Sequence, residues 1–228
     1  MRKRIFNWHG QRFAYLWLEA EGDEAIERQS EALFRRAAAE LDALGLSIAT
    51  NVVRTRPFGR TRQARDVLSA VRTKALSGQG RAAGSSYISP AHLRSAADVA
   101  LDLFAMAAPA GGAERTVTEH QPMQNFIRHL VWGPMVFLAG MTCERFPTLP
   151  EQIADILPRA GALLQETGCR WNNVVRVSCF LHNDQDADAL LAAIAKTAPV
   201  PLDNAEIEFV EGYSQPGKLV EVEITAKL

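Results

Sequence analysis

Chemistry in this chain of 228 residues would have to come from arginines, carboxylates and three cysteines. Five arginines, Arg54, Arg56, Arg60, Arg62 and Arg65, crowd into one short stretch. At the end of a strand such a cluster can bind an anion. The competing reading is a solvated turn that pairs with acidic helices. Arg81 sits in a glycine-rich loop over 77–84, either as a clamp for an anionic group or as a solvated loop side chain. Cys143 is a candidate substrate contact or nucleophile, because a thiolate becomes reactive beside a cation or a histidine. Arg145 and His120 are the residues able to supply one; the plainer reading is an idle buried thiol. Cys179 lies in an apolar run and reads as core, and His182 ends that run as a turn residue. The sequence has no glycine-rich phosphate loop, no metal-ligand cluster and no Ser-His-Asp pattern, so neither metal nor cofactor is expected.

The elements that must position these residues are written twice. Asn51-Val52-Val53-Arg54, with Phe58 four residues on, returns as Asn173-Val174-Val175-Arg176 with Phe180, at an offset of 122. Upstream, Gln29, Arg36, Ala37, Leu41 and Gly45 match Gln152, Arg159, Ala160, Leu164 and Gly168. Downstream, the strand at Val99–Leu103 matches that at Val220–Ile224, which puts Asp102 where Glu223 sits. Repeats in one order with small drift predict two copies of one domain. The spans expected are a domain over 1–106, a flexible Ala/Gly/Pro linker over 107–118 and a second domain over 119–228.

Periodicity predicts β-α-β-α-β-β in each copy. In the first, strands cover 12–18, 48–58, 85–89 and 97–106, with helices over 24–44 and 66–76. In the second, strands cover 135–139, 173–181, 205–210 and 219–226, with helices over 151–167 and 186–196. Val220, Val222 and Ile224 point one way along the last strand, and Glu221, Glu223 and Thr225 the other. That alternation suits an α+β sheet with helices on one face.

Composition narrows the function classes. A net charge of -1 carries no electrostatic footprint for nucleic acid. No apolar run is long enough for a membrane span, and no apolar stretch follows the basic Met1–Arg4 to make a signal peptide. An odd number of irregularly spaced cysteines fits a reducing cytoplasm better than a disulfide framework.

The second copy resembles the Rid family, the YjgF-like reactive intermediate deaminases. The resemblance rests on Gly133–Gly140, on Gly168 with Trp171–Val177, and on Leu219–Ala226, and it covers nearly all of 119–228. The first copy resembles the family only through the repeat, as a diverged member. The resemblance implies the chorismate-mutase-like α+β fold, built twice in tandem. It also implies ring assemblies of three domains with ligand clefts where neighbours meet, and hence a homotrimer of six domains. Its deaminating members hydrolyse enamines and imines such as 2-aminoacrylate, using an arginine just before the penultimate strand to clamp the substrate carboxylate. Here that position falls at Asp203-Asn204-Ala205, leaving Asn204 as a poor substitute. The family's Ser-Gly-Gln is Ala139-Gly140-Met141 here. Glu223 matches the glutamate associated with water activation, and Arg81 lies near the missing arginine's position in the first copy.

These residues give the expected site: Glu223 catalytic, with Arg81, Asn204 and Cys143 on the substrate, a small anionic metabolite. The function implied is hydrolysis of an imine or enamine at an inter-domain cleft. The alternatives are a non-catalytic small-molecule-binding or scaffold protein, and a lyase or hydrolase like the two-domain chorismatases, which cleave a vinyl ether.

Overall fold

A computed structural model describes residues 1–22, 24–202 and 205–228. The first half forms β1 (Arg2–Trp8), β2 (Gln11–Glu19), α1 (Ile26–Asp42), β3 (Val52–Gly59), α2 (Arg62–Ala75), the short β4 (Ala83–Gly84) and β5 (Tyr87–Ile88), and β6 (Val99–Met106). The second half forms β7 (Arg115–Thr118), β8 (His129–Trp132), β9 (Met135–Leu138), the short β10 (Met141–Thr142), α3 (Leu149–Glu166), β11 (Val174–His182), α4 (Ala187–Thr197), β12 (Ala205–Val210) and β13 (Val220–Lys227). The fold is α+β. One sheet runs β1-β2-β6-β3-β4, with β5 also on β3; the other runs β12-β11-β13-β9-β8-β7.

The repeated residues do the same work twice. Asn51 accepts from the Ser47 amide and donates to the Met106 carbonyl at 2.8 Å. Asn173 accepts from the Arg170 amide and donates to the Lys227 carbonyl at 2.9 Å. Each asparagine therefore ties the entry of a central strand to the end of the last one. Gln29 and Gln152, both buried, each accept from the amide that leads into that last strand, at Asp98 and Leu219. Gly45 and Gly168 stand just past α1 and α3 at φ 71° and 82°, the left-handed conformation that stops a helix at little cost to glycine. A bulge displaces register between Val52 and Arg54, and again between Val174 and Arg176.

Each sheet buries one face under its own helices. In α1 the apolar stripe is Leu33, Phe34, Ala37 and Leu41; in α3 it is Leu149, Ile153, Ile156, Leu157, Ala160 and Leu164. Thr61 and Asp186 cap α2 and α4 by accepting from Ala64 and Ala189 amides. Val220, Val222 and Ile224 belong to the core under α3 and α4.

The other face of each sheet is covered by the other copy. Phe13, Val53 and Met106 pack against Leu130, Met135 and Phe137 in one mixed cluster; Trp17, Phe58 and Tyr87 pack against Phe180, Val210 and Tyr213 in another. The Tyr87 and Phe180 rings stack at 4.1 Å. Within one chain, each copy thus supplies the partner domain for the other's second sheet face.

Two boundaries also change. Residues 115–118, expected as linker, form β7 on β8, and Arg115 donates to the Val52 carbonyl at 2.9 Å and the Arg81 carbonyl at 2.6 Å. The basic N-terminus is a strand, β1, paired along its whole length with β2. Its hairpin turns on His9 and Gly10, at φ 49° and 80°, the left-handed pair that a two-residue hairpin loop demands. No helix of the described residues is long and apolar enough to cross a membrane.

Candidate functional site

Between the two apolar clusters the facing sheets carry charge. Arg54 and Arg56 alternate on β3 with the buried Thr55 and reach Glu223 on β13. Arg54 Nη1 donates to Glu223 Oε2 at 2.6 Å, and its Nη2 donates to the Leu138 and Ile224 carbonyls, each at 3.0 Å. Arg56 donates through Nε at 2.9 Å and Nη2 at 2.7 Å to the same oxygen. Ser85 and Tyr87 hydroxyls donate to Glu223 Oε1. Glu223 is 1 % exposed. Burial pushes its carboxyl up, but Arg56 and Arg54 outweigh that and draw it down to about 2. A carboxylate so paired is a weak base. Its work is to neutralise two buried guanidiniums and to aim Arg56.

Arg56 is the link outward. Its Nη1 donates to Asp102 Oδ2 on β6 at 3.3 Å, and the guanidinium lies 4.9 Å from the Phe180 ring centre. Asp102 Oδ1 is buried without a hydrogen-bond partner. Burial raises the Asp102 carboxyl; Arg56 opposes, Glu223 and Glu208 add to the rise, and the result is about 6. Acids in that range exist in both forms near neutral pH and suit proton transfer.

Arg56 and Asp102 form the floor of a cleft of about 750 Å³ between the copies, within the ~300–1,000 Å³ typical of small-molecule sites. Its aromatic wall is Phe6, Trp8, Tyr15 and Phe104 from the first copy, with Tyr15 and Phe104 at 5.0 Å. Arg176, Glu206 and Glu208 come from the second. Arg176 pairs with Glu206 through Nε at 3.0 Å and Nη2 at 2.5 Å, and lies 5.4 Å from the Phe104 ring. Arg4 of β1 stands at the mouth. The cleft thus offers cations for an anion, flat apolar walls for an unsaturated or cyclic body, and one poised acid.

A second buried carboxyl, Glu221, is raised to about 7 by burial and by Glu223. It lies against Gly140, where an added Cβ would collide with Glu221 Oε1 and Ser85 Oγ. Glycine at 140 is what lets β13 and the Ser85 segment approach.

The residues expected from sequence do not assemble together. Arg81 makes a two-pronged pair with Glu119, 2.5 Å from Nε and 2.9 Å from Nη2, and Nη2 also donates to the Gln124 carbonyl. It is not among the partners of Glu223 and does not line the cleft. Cys143 is buried beside a separate recess lined by Arg145, Asp155, Arg159 and Lys218, and Arg145 is held by Asp155 at 2.6 Å. His120 meets Phe126 edge to face, with ring centres 4.9 Å apart, and does not line the recess at Cys143. Asn204 lies outside the described residues. Of the arginine patch, Arg54, Arg56 and Arg62 reach the other copy, Arg62 by donating to the Tyr213 and Ser214 carbonyls, whereas Arg60 donates to the Ser95 and Ala97 carbonyls of its own copy. Asp102, Tyr15, Glu208 and the β1 aromatics were not singled out as site residues. The available signals were Asp102's match to Glu223 and the alternation of Arg4, Phe6 and Trp8 ahead of His9-Gly10. Among the described residues no group of acidic, histidine and cysteine side chains is placed to hold a metal.

A chorismatase of solved structure aligns with 97% of this chain and 78% of its own, with a TM-score of 0.65 at 15% identity. This chain has the chorismatase fold. A YjgF-family protein from Mycobacterium tuberculosis matches half as much, 50% of this chain and 100% of its own, at 23% identity and a TM-score of 0.45. One from Neisseria meningitidis covers 50% of this chain and 95% of its own, at 24% identity and a TM-score of 0.41. No protein-family profile matches the sequence, and no curated protein does.

Proposed function

We propose that the protein binds a small carboxylate-bearing metabolite in the inter-copy cleft and hydrolyses it by protonating an electron-rich C=C bond. The observation that carries this reading is Asp102: a buried carboxyl on the cleft floor, with one oxygen unpartnered and the other on Arg56. An enamine and a vinyl ether share their first step. The acid donates its proton to the terminal alkene carbon, and the nitrogen or oxygen lone pair stabilises the resulting cation as an iminium or oxocarbenium ion. Water then adds to the cationic carbon and loses a proton. The tetrahedral adduct expels ammonia or an alcohol and leaves a keto acid. Arg176 and Arg4 supply charge for the substrate carboxylate, where two parallel charged hydrogen bonds suit a guanidinium, while Arg56, held by Glu223 and Asp102, adds only its field. The aromatic wall suits the larger, vinyl-ether type of substrate, which places deaminase-type hydrolysis second.

The test is pyruvate and ammonia release from chorismate and from enzymatically generated 2-aminoacrylate. Turnover of either by the wild type, lost in Asp102→Asn, supports the reading. Turnover that survives Asp102→Asn overturns the assignment of the acid. A non-catalytic binding protein is the reading from a different class, favoured by the sealing of Glu223 between two arginines. Ligand binding at the cleft without turnover of any enamine or vinyl ether would select it.

Three buried, unpaired cysteines fit a reducing cytoplasm. We take the single chain as the functional unit, since its two copies cover each other; the homotrimer is the alternative.

A further inference from the structure

Across the junction between the copies, three side chains form a chain of hydrogen bonds that the reaction above does not use. Ser89 Oγ lies 2.6 Å from His92 Nδ1, and His92 Nε2 lies 3.2 Å from Glu208 Oε2. Ser89 and His92 belong to the first copy and sit on the loop between β5 and β6; Glu208 belongs to β12 of the second. Glu208 also lines the cleft that holds Asp102. The order Ser-His-Glu resembles a nucleophile relay, but Ser89 is fully buried and does not line the cleft. The direction of the chain is therefore toward Glu208.

The carboxylate partner fixes which end of the ring donates. A carboxylate only accepts, so Nε2 must carry the proton it shares with Glu208. Nδ1 faces the Ser89 hydroxyl, which can donate to it or accept from it. Ser89 is itself anchored by its amide to the Gly59 carbonyl at 2.9 Å. The imidazole is stacked on Phe58 at 4.7 Å and 22°, which holds its plane. Every member but Glu208 is thus locked, and Glu208, with 42% of its side chain exposed, is the member that faces the cleft opening.

We propose that Glu208 is the proton acceptor that activates water in the cleft, and that His92 is its positioning residue, oriented in turn by Ser89. This rests on the acid role given to Asp102 above. Two carboxyls on one cleft are driven apart by their surroundings. Asp102 is raised by burial. Glu208 is also raised by burial, but the His92 hydrogen bond and the Arg56 charge outweigh that and hold it below the usual range. Such divergence separates an acid from a base on the same site. Because the pair spans the copies, the acceptor takes its place only when the copies dock. Glu223, sealed by two arginines, is relieved of the water-activating role.

The experiment has two arms. In the first, imidazole nitrogens are observed by NMR in ¹⁵N-histidine-labelled protein, with the His92 signal assigned by its loss in His92→Gln. The expected result is a neutral Nε2–H tautomer whose Nε2 proton resonance moves upfield in Glu208→Gln. An Nδ1–H tautomer, or a resonance indifferent to Glu208→Gln, overturns the pairing. In the second, kinetics are measured on whichever substrate the wild type turns over. Glu208→Gln should lower kcat by roughly 10²–10⁴-fold with little change in KM. His92→Ala should lower kcat by about 10–100-fold, as loss of an orienting partner does, and His92→Gln, which keeps an N–H donor, should restore most of it. Wild-type kcat in Glu208→Gln overturns the acceptor role; wild-type kcat in His92→Ala overturns the positioning role. Glu208 is part-exposed, so its variant tests the idea even where His92→Ala fails to fold. A wild type that turns over neither substrate class removes the acceptor role together with the activity, while the spectra still decide the pairing.

Discussion

Arg54 and Arg176 hold the same place in the two copies, and only Arg54 is sealed. Arg54 is 4 % exposed and donates to Glu223 at 2.6 Å across the junction, whereas Arg176 stays on its own sheet with Glu206 and faces the cleft. One duplicated arginine became a structural lock and the other kept an opening in front of it. The difference follows from the docking: the sheet faces do not meet symmetrically, so identical residues have different neighbours.

The lock makes a prediction for stability. Removing one partner of a buried charge pair leaves the other uncompensated, at a cost of about 3–5 kcal/mol. Glu223→Leu, which orphans Arg54 and leaves Arg56 with Asp102 alone, should lower the denaturation midpoint accordingly, and Arg54→Ala should lower it less, because Arg56 still holds Glu223. The double variant should lose less than the sum, because it leaves no orphaned charge on that pair. Additive losses in urea titrations would argue against the coupling.

Titration of the network gives opposite slopes in two pH windows. Glu223 is depressed to about 2 against an ordinary 4.5, so its stabilisation is present above about pH 4.5 and disappears as pH falls toward 2. Asp102 is raised to about 6 against 3.8, so the unfolded state releases this proton first and stability falls as pH rises from about 4 through 6. Glu221 adds a fall that ends near pH 7. Asp102→Asn should therefore lose less stability than the wild type between pH 5 and pH 8, by on the order of 1–3 kcal/mol. Urea midpoints at the two pH values check this, and equal losses in both proteins would contradict it. The same protonation makes turnover dependent on the acid form of Asp102, so kcat/KM should decline above about pH 6.

Much of this architecture was legible in the sequence because the repeat fixes it. Asn51 with Asn173, and Gln29 with Gln152, each tie off the same turn, so the matched residues are the ones the fold cannot spare. The site was less legible. Alternation along β13 separates Val222 from Glu223 but does not say which face meets the other copy. The carboxylate side, which a strand pattern would give to solvent, is the buried one: Glu221, Glu223 and Thr225 are 7 %, 1 % and 3 % exposed. Arg54 and Arg56 were visible as a cluster, yet their partner lies 167 to 169 positions away on the other copy, beyond any local rule. His92 and Glu208 are likewise joined only by docking.

Arg81 illustrates the opposite case, a residue whose type and place suggested a clamp. Its guanidinium is already matched by Glu119 and the Gln124 carbonyl. Arg81→Ala should leave ligand affinity and turnover at the cleft unchanged. It should lower stability by about 1 kcal/mol, in keeping with a partly exposed ion pair. A tenfold loss in kcat/KM without loss of fold would return Arg81 to the site.

The assembly follows from who covers whom. A closed trimer of six domains in two rings needs three equivalent chains, each giving one copy to each ring. Here the two copies of one chain face each other directly, through Phe13 with Phe137 and Tyr87 with Phe180. Were both copies in the same ring, each ring would need a third domain from another chain, and that chain could not then be equivalent to the first. The shared interface favours the single chain as the closed unit over the two-ring trimer. Light scattering at micromolar concentration should give the mass of one chain, 25.1 kDa. A trimer would require the copies to part and re-pair between chains, with Arg54 of one chain on Glu223 of another, and would appear as a correspondingly larger mass. A monomer that is destabilised by Arg54→Ala meets both expectations at once.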